Sequence, residues 1–295
     1  MDVTLRHLTI CVDDFGLEAG VNAAVLALAR QGRASATSCM TGAPHWRSGA
    51  PALRDLDPAG FDAGLHLDLT EHPFERSLRQ PLSRWLARSY LRAVPRAVLR
   101  AEIEAQLDAF ESALGRPPAH VDGHQHVHQL PVVREVLIEA LQTRYPVRRP
   151  WLRSTRRAPG DGERKAWLIE ALGSRALARL AADRGFEQNR HLLGVYDFQG
   201  DATRYLALLG EWLAASQDGD LLMCHPGERI PAGDAIAAAR QIEYQVLSGP
   251  ALGELLRRLG VRVAPFLRAV SRGAADAMPE SRVGLSSGHH HAAKR

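Results

Sequence analysis

Short apolar runs alternate with stretches of helical periodicity along most of the chain. Apolar runs of a few residues, bounded by turn-forming residues, are typical of buried strands. We predict strands at residues 6–12, 34–41, 61–69, 119–122, 147–153, 191–197, 220–224 and 261–264. The pattern therefore indicates seven or eight buried strands.

Helical periodicity fills most of the intervals between these runs. The predicted helices cover residues 18–31, 45–56, 97–114, 132–143, 163–184, 202–215 and 250–259. The clearest is 97–114, where Ile103, Leu107 and Phe110 recur on one face. Residues 70–94 are rich in turn formers, arginine and aromatic residues, so we interpret them as a long insertion after the third strand.

Strands that alternate with helices predict an α/β fold with a mostly parallel sheet. A complete or slightly irregular (β/α) barrel is favoured over an open doubly wound sheet. No GxGxxG follows the first strand and no GxxxxGK[ST] occurs, so the common nucleotide-binding folds lose support. We expect one barrel domain at residues 1–270 and a disordered tail at residues 271–295, which are small, polar and charged.

Composition and charge exclude several classes of protein. The 295 residues are 45% hydrophobic and 24% charged, as in globular proteins. No apolar run is long enough for a transmembrane helix, and the N-terminus lacks the pattern of a signal peptide. The net charge of +4 is spread along the chain without a nucleic-acid motif, so no nucleic-acid partner is expected.

The three cysteines, Cys11, Cys39 and Cys224, each lie in an apolar run, and none belongs to a CxxC pair. Neither a disulfide framework nor a thiolate zinc site is therefore indicated. A reducing compartment fits this usage, and we expect a cytoplasmic protein.

Four short motifs concentrate the polar residues, and most of them lie at the carboxyl end of a predicted strand. They are VDDFG at residues 12–16, GLHLDLT at 64–70, HVDGHQHVH at 120–128 and MCHPG at 223–227. In a barrel of parallel strands, these ends share the face that carries the active site. Four segments that are distant in sequence are therefore expected to converge on one pocket.

The residue types in these motifs suit a divalent metal ion, because two neutral imidazoles and one carboxylate leave positions open for water and substrate. Where the backbone turns, either Asp13 or Asp14 can bind the ion while its neighbour faces water, and a capped turn is the alternative. His66 offers an imidazole, with a buried core histidine as the alternative. Asp68 is predicted to orient that imidazole, and a turn cap is its alternative.

The segment after the fourth strand has ligand-capable side chains at alternate positions: His120, Asp122, His124, His126 and His128. Spacing alone does not decide which histidine binds an ion. His124 follows the strand most closely, so its backbone is the best fixed of the last three. His126 and His128 are expected to support the ligands or contact the substrate.

His225 ends an apolar run and precedes a Pro-Gly turn, which makes it a candidate general acid, with a structural role as the alternative. At this point the chain resembles the YdjC-like carbohydrate deacetylase family, which includes chitooligosaccharide deacetylases and hopanoid-biosynthesis-associated members. The resemblance rests on DDFG at 13–16 with GVN at 20–22, GLHLDLT at 64–70, HVDGHQHVH at 120–128 and CHPG at 224–227.

The resemblance implies a (β/α) barrel-like deacetylase fold and a hydrolase that removes acetyl groups from N-acetylated sugars. It implies one divalent ion held by Asp14, His66 and His124. It also implies that Asp13 is the general base and His225 the general acid.

Further expectations complete this hypothesis. Arg153 resembles a family arginine after the fifth strand, and Asp122 is placed beside the ligands or the substrate. Two imidazoles favour Zn²⁺, Mn²⁺ or Co²⁺ over Mg²⁺. The family resemblance nevertheless implies Mg²⁺ as a further candidate. The family resemblance further suggests a homodimer. Residues 72–95 and 155–190 match no family pattern, so the sugar itself is not predicted.

Two alternatives stay open. A metal-dependent phosphoesterase would need a second ion and more carboxylates, which Asp68 and Asp122 could supply. A non-catalytic sugar- or metal-binding protein would need no general base, yet Asp13 and His225 accompany the ligand set.

Overall fold

The computed structural model describes residues 5–267. Its strands are Arg6–Phe15 (β1), Ala36–Cys39 (β2), Asp62–Leu67 (β3), His120–Gly123 (β4), Trp151–Leu152 (β5), Leu192–Leu193 (β6), Leu221–Cys224 (β7) and Val261–Val263 (β8). The expected tail at residues 271–295 lies outside the described part of the chain.

Helices connect these strands. They are Ala19–Arg30 (α1), Trp46–Arg54 (α2), Leu82–Tyr90 (α3), Arg96–Leu114 (α4), Val133–Arg144 (α5), Arg164–Ala171 (α6), Ser174–Asp183 (α7), Ala202–Ala215 (α8), Ala237–Ser248 (α9) and Pro250–Arg258 (α10). Two 3-10 helices lie at Arg76–Leu78 and His124–Gln129.

The strands form one eight-stranded sheet with the order β5-β4-β3-β2-β1-β7-β6, and β8 pairs with β1. Every strand pairing is parallel. The sheet curves until its edges meet at two isolated bridges, Leu152 with Gln188 and Arg157 with Leu192, which we call the seam. The predicted barrel-like α/β fold with seven or eight mostly parallel strands is confirmed.

Alternate residues of β1 face two different hydrophobic clusters. Leu8, Ile10 and Val12 belong to the large cluster formed with the surrounding helices. Cys11 belongs to the smaller cluster, which includes Trp151 from β5. Because side chains alternate along a strand, Asp13 points to the same side as Cys11 and so enters the mouth of the barrel.

Three helical regions differ from the prediction. Residues 163–184 form two helices, α6 and α7, because Gly173 between them has a φ of 138° that interrupts the helix. The segment at 70–94 contains α3 as well as loops. Helix α9 is absent from the prediction. Within the described residues, no helix combines the length and apolar character needed to cross a membrane.

Candidate active site

The four motifs meet at one mouth of the barrel, around a cavity of about 660 Å³. The ends of β1, β3 and β4 and the turn after β7 carry five of its lining residues: Asp13, Asp14, His66, His124 and His225. The structure thus brings together all five side chains that sequence reasoning assigned to metal binding and acid–base chemistry.

Asp13 and Asp14 diverge because the backbone of β1 turns between them. Asp14 has a φ of 67°, a left-handed conformation that non-glycine residues adopt rarely and at a cost. The pairing of β1 with β2 shifts register between Val12 and Phe15, where this turn occurs. Asp14 consequently faces two histidines, while Asp13 faces Arg153.

Asp14, His66 and His124 form a compact triangle. Oδ1 of Asp14 lies 3.4 Å from Nε2 of His66 and 3.1 Å from Nδ1 of His124. Ligands held about 2.0–2.2 Å from one tetrahedral ion lie roughly 3.3–3.5 Å apart. The two distances to Asp14 are therefore close to those between ligands that share one divalent ion. The ligand atoms of all three residues lie within 4.8 Å of one another, and they form one of the two candidate metal groups in the described chain.

Each histidine of the triangle has a carboxylate on its far nitrogen. Nδ1 of His66 lies 2.6 Å from Oδ1 of Asp122, and Nε2 of His124 lies 3.0 Å from Oε1 of Glu71. A proton on each far nitrogen leaves the near nitrogen, which faces Asp14, free to bind an ion. Imidazoles oriented in this way are characteristic of metal ligands.

The charged groups around the triangle shift one another's pKa values. Burial alone would lower the pKa of His66, but Asp122 and Asp14 raise it to about 9. Burial would raise the pKa of Asp14, but Arg240 and the two histidines hold it well below its ordinary value. The triangle is therefore built around a carboxylate that stays ionised.

The prediction that Asp68 orients His66 is wrong, because Asp122 takes that position. His66 and Asp122 are register partners on the neighbouring strands β3 and β4. The carboxylate of Asp68 instead accepts hydrogen bonds from the backbone N–H groups of Thr70, Glu71 and His72, at 2.8, 3.0 and 2.6 Å. Asp68 thus caps the turn that presents Glu71 to His124.

Arg153 is fully buried and binds the carboxylates of Asp13 and Asp122. Its two terminal nitrogens each donate to Asp13 at 2.6 Å, and Nη2 also lies 2.7 Å from Oδ2 of Asp122. Ser38 donates a further hydrogen bond of 2.7 Å to the same oxygen of Asp122. The guanidinium therefore fixes Asp13 and connects it to the carboxylate behind His66.

His225 also approaches Asp13, with its Nε2 3.9 Å from Oδ2 of the aspartate. Burial lowers the pKa of His225 to about 4, so the imidazole is neutral in the resting site. Its Nδ1 is buried and has no hydrogen-bond partner among the described residues, and the ring of Phe198 packs edge-on against the imidazole.

The other histidines of the third motif, at residues 120–128, occupy different places. His126 lines the cavity and has a φ of 60°, and its buried Nδ1 has no hydrogen-bond partner within residues 5–267. His128 is buried, and its Nε2 donates to the backbone carbonyl of Arg153 at 3.0 Å. His120 lies below the site, stacked on Trp151 with the ring centroids 4.3 Å apart.

Several contributing side chains were not identified from the sequence: Ser38, Glu71, Arg240 and Glu243. Glu71 directly follows the second motif, which is the one sequence signal that could have indicated it. Arg240 and Glu243 belong to α9, whose pattern did not predict a helix.

The model of the YdjC-like protein family matches residues 7–258 of this chain. A chitooligosaccharide deacetylase of Enterobacter sp. (strain 638) is 26% identical over 273 residues, which cover 89% of this chain and 98% of the relative. A carbohydrate deacetylase of Mus musculus is 36% identical over 178 residues, covering 54% of this chain and 53% of the relative.

Among solved structures, a protein of Enterococcus faecalis V583 described as a cellobiose-phosphate cleavage protein has a TM-score of 0.68 and 20% identity. The alignment covers 90% of this chain and 99% of that one, and it supports the fold. The predicted family, and the deacetylase class at the level of that family, are confirmed. With a family match over most of its length and a barrel mouth that assembles all four motifs, the chain belongs to the YdjC-like protein family.

Proposed function

We propose that this protein is a metal-dependent hydrolase that removes acetyl groups from N-acetylated sugars. The observation that carries the proposal is the triangle of Asp14, His66 and His124 beside a separate proton-transfer pair, Asp13 and His225, in one cavity. The names of the curated relatives, chitooligosaccharide deacetylase and carbohydrate deacetylase, support the same chemistry.

Asp14, His66 and His124 would hold one divalent ion through the three atoms that face one another. Such an ion, when bound, supplies Lewis-acid chemistry that polarises the acetamide carbonyl and makes a neighbouring water a stronger acid. The two imidazoles favour Zn²⁺, Mn²⁺ or Co²⁺ over Mg²⁺.

Asp13 acts as the general base. It lies next to Asp14 in sequence but does not share its role, because its carboxylate faces Arg153 and His225. The two hydrogen bonds from Arg153 fix the plane of the carboxylate. Asp13 accepts a proton as the water oxygen bonds to the carbonyl carbon.

His225 completes the reaction by protonating the amine as the carbon–nitrogen bond breaks. Because burial keeps its imidazole neutral at rest, His225 must gain this proton during turnover. Oδ2 of Asp13 lies 3.9 Å from Nε2 of His225, so the proton taken from water can pass to the imidazole and leave with the amine. The products are acetate and a free amino sugar.

The phosphoesterase alternative loses support because the carboxylates that it requires are already engaged. Asp68 accepts hydrogen bonds from three backbone N–H groups. Asp122 and Asp13 share the guanidinium of Arg153, a buried cation that would repel a second metal ion at the other candidate group, Asp13, His66 and Asp122.

Acetate release from a panel of N-acetylated monosaccharides and oligosaccharides tests the proposal. We expect turnover that a chelator abolishes and that one added divalent ion restores. Phosphate release from simple phosphate esters, assayed in parallel, would identify the phosphoesterase. Sugar or metal binding without any turnover would support a binding protein instead.

A further inference from the structure

Helix α9 reaches the active site with two buried charged residues one helical turn apart. Nη2 of Arg240 donates to Oδ2 of Asp14 at 2.7 Å. Oε2 of Glu243 accepts a hydrogen bond of 2.6 Å from the backbone N–H of His225. Arg240 is 3% exposed and Glu243 is 0% exposed, so both contacts are shielded from solvent. One helix therefore contacts both the carboxylate of the triangle and the segment that carries the acid.

The two oxygens of Asp14 face different partners. Oδ1 faces His66 and His124, whereas Oδ2 faces Arg240. Arg240 is itself held by Asp234, whose Oδ2 lies 2.8 Å from its Nε. The guanidinium is thus fixed between two carboxylates, and rotating Asp14 to present both oxygens to one ion would break a buried, charge-assisted hydrogen bond.

We infer that Arg240 is a positioning residue that limits Asp14 to binding the ion through Oδ1 alone. The inference rests on the proposed metal site. An aspartate that binds through one oxygen occupies one coordination position, and one that binds through both occupies two. By holding Oδ2, Arg240 keeps a position open for the substrate carbonyl or water.

The same helix fixes the distance from the metal site to the proton donor. The backbone carbonyl of Arg240 accepts a hydrogen bond from Gly227 at 2.9 Å, and Glu243 holds His225 two residues earlier. The hydroxyl of Tyr196 donates to Glu243 at 2.8 Å and so keeps that carboxylate in place. Nη1 of Arg240 also lies 3.5 Å from the backbone carbonyl of His225, a longer contact than the 2.7 Å hydrogen bond to Asp14. A change at Arg240 is therefore expected to affect ligation more than the turn at 224–227, which keeps its contact with Glu243.

The test compares wild type with Arg240→Met after both have been loaded with Co²⁺. X-ray absorption or a crystal structure of the loaded proteins reports the ligation of Asp14, and calorimetry reports the Kd for Co²⁺. We expect one Asp14 oxygen on the ion in wild type and two in the variant. Because a neighbouring positive charge is lost, the Kd is expected to stay the same or fall, while kcat drops about 10–100-fold.

Arg257→Met is the matched control, since Arg257 is an exposed arginine on α10 that contacts Glu254. It should leave the Kd, the ligation and kcat unchanged. If Arg240→Met does not fold, Arg240→Lys replaces it. Lysine keeps the positive charge but lacks the planar guanidinium that contacts Asp14 and Asp234 at the same time. We expect Asp14 to bind through both oxygens in this variant too, with a smaller loss of kcat.

Two outcomes overturn the inference: an Asp14 that binds through both oxygens in wild type, or single-oxygen ligation with wild-type kcat in the Arg240 variants. The failure of wild type to bind any divalent ion would instead refute the proposed metal site. Metal titration of wild type alone therefore separates the two failures.

Discussion

Nδ1 of His66 lies 2.6 Å from Oδ1 of Asp122, and the two residues are direct register partners on adjacent parallel strands. Strand pairing therefore sets the orientation of this imidazole, and no flexible loop is involved. The other ring nitrogen, Nε2, is directed at Asp14 as a result. Rigid elements hold ligand geometry better than loops do, which makes His66 the best-fixed member of the triangle.

His66→Ala is expected to lose the bound ion and all measurable activity while the protein stays folded. One imidazole supplies a third of the ligand set, and its removal leaves only Asp14 and His124. Metal content after dialysis and thermal unfolding measure the two effects. His45→Ala, at a 40%-exposed histidine outside the cavity, is the control and should retain the ion. Full metal occupancy in His66→Ala would contradict the assignment.

Asp13→Asn is expected to keep the ion but lose activity by about 10²–10⁴-fold, the usual contribution of a general base. The variant should fold, because Arg153 retains its contact with Asp122. Metal content and kcat are measured together with those of Asp14→Asn, which should lose the ion. The opposite result, with the ion lost from Asp13→Asn and kept in Asp14→Asn, would exchange the two roles.

The roles of the histidines of the third motif can be distinguished by alanine substitutions compared in one preparation. His124→Ala should lose the ion, because its Nδ1 faces Asp14. His126→Ala and His128→Ala should keep it while activity or substrate affinity falls. His128 contacts the carbonyl of Arg153, so its loss loosens the residue that fixes the base. Equal metal loss from His124→Ala and His128→Ala would indicate that both bind the ion.

Glu243 is expected to make the protein less stable as the pH rises from about 5 to 8. Burial raises its pKa from 4.5 to about 7, so the unfolded chain releases this proton at lower pH than the folded protein does. Stability from this group is complete below pH 4.5 and declines as the pH rises toward 7. Glu243→Gln removes the titration and should gain about 2–3 kcal/mol relative to wild type between pH 5 and pH 8.

The groups that face Glu243 do not titrate in this range. The pKa values of Tyr196, Tyr205 and Cys224 are raised by burial, that of His225 is lowered to about 4, and Arg240 stays charged. Urea unfolding of wild type and Glu243→Gln at both pH values measures the effect. A difference between the two proteins that does not change with pH would contradict the prediction.

The strand ends and the motifs on them could be predicted because both depend on local patterns. The partner of His66 could not be predicted, because Asp68 is close to it in sequence whereas Asp122 lies opposite it on the neighbouring strand. Which aspartate contacts His66 depends on strand register. Asp68 was the nearer in sequence, yet its carboxylate is used by the backbone of its own turn. Long-range pairing is the information that a single sequence lacks.

Helix α9 was not predicted from the sequence, for a different physical reason. Its buried residues include Arg240 and Glu243 beside Ala239, Val246 and Leu247. Periodicity analysis counts charged residues as exposed, so the charges on the buried side hide the helical pattern. Those charges are buried because Asp14 and the backbone of His225 provide partners for them. The charged residues that α9 contributes to the site are therefore the reason that the helix was not predicted.

The seam has a consequence for how the enzyme loses activity on heating. Within residues 5–267, two isolated bridges join the barrel edges there, and β5 and β6 are two residues long. Segments with so few backbone hydrogen bonds open locally before a domain unfolds. Arg153 directly follows Leu152 of the seam, so local opening would withdraw the guanidinium from Asp13. Inactivation is therefore expected at a lower temperature than global melting, with the amide of Leu152 among the first in the sheet to exchange with deuterium.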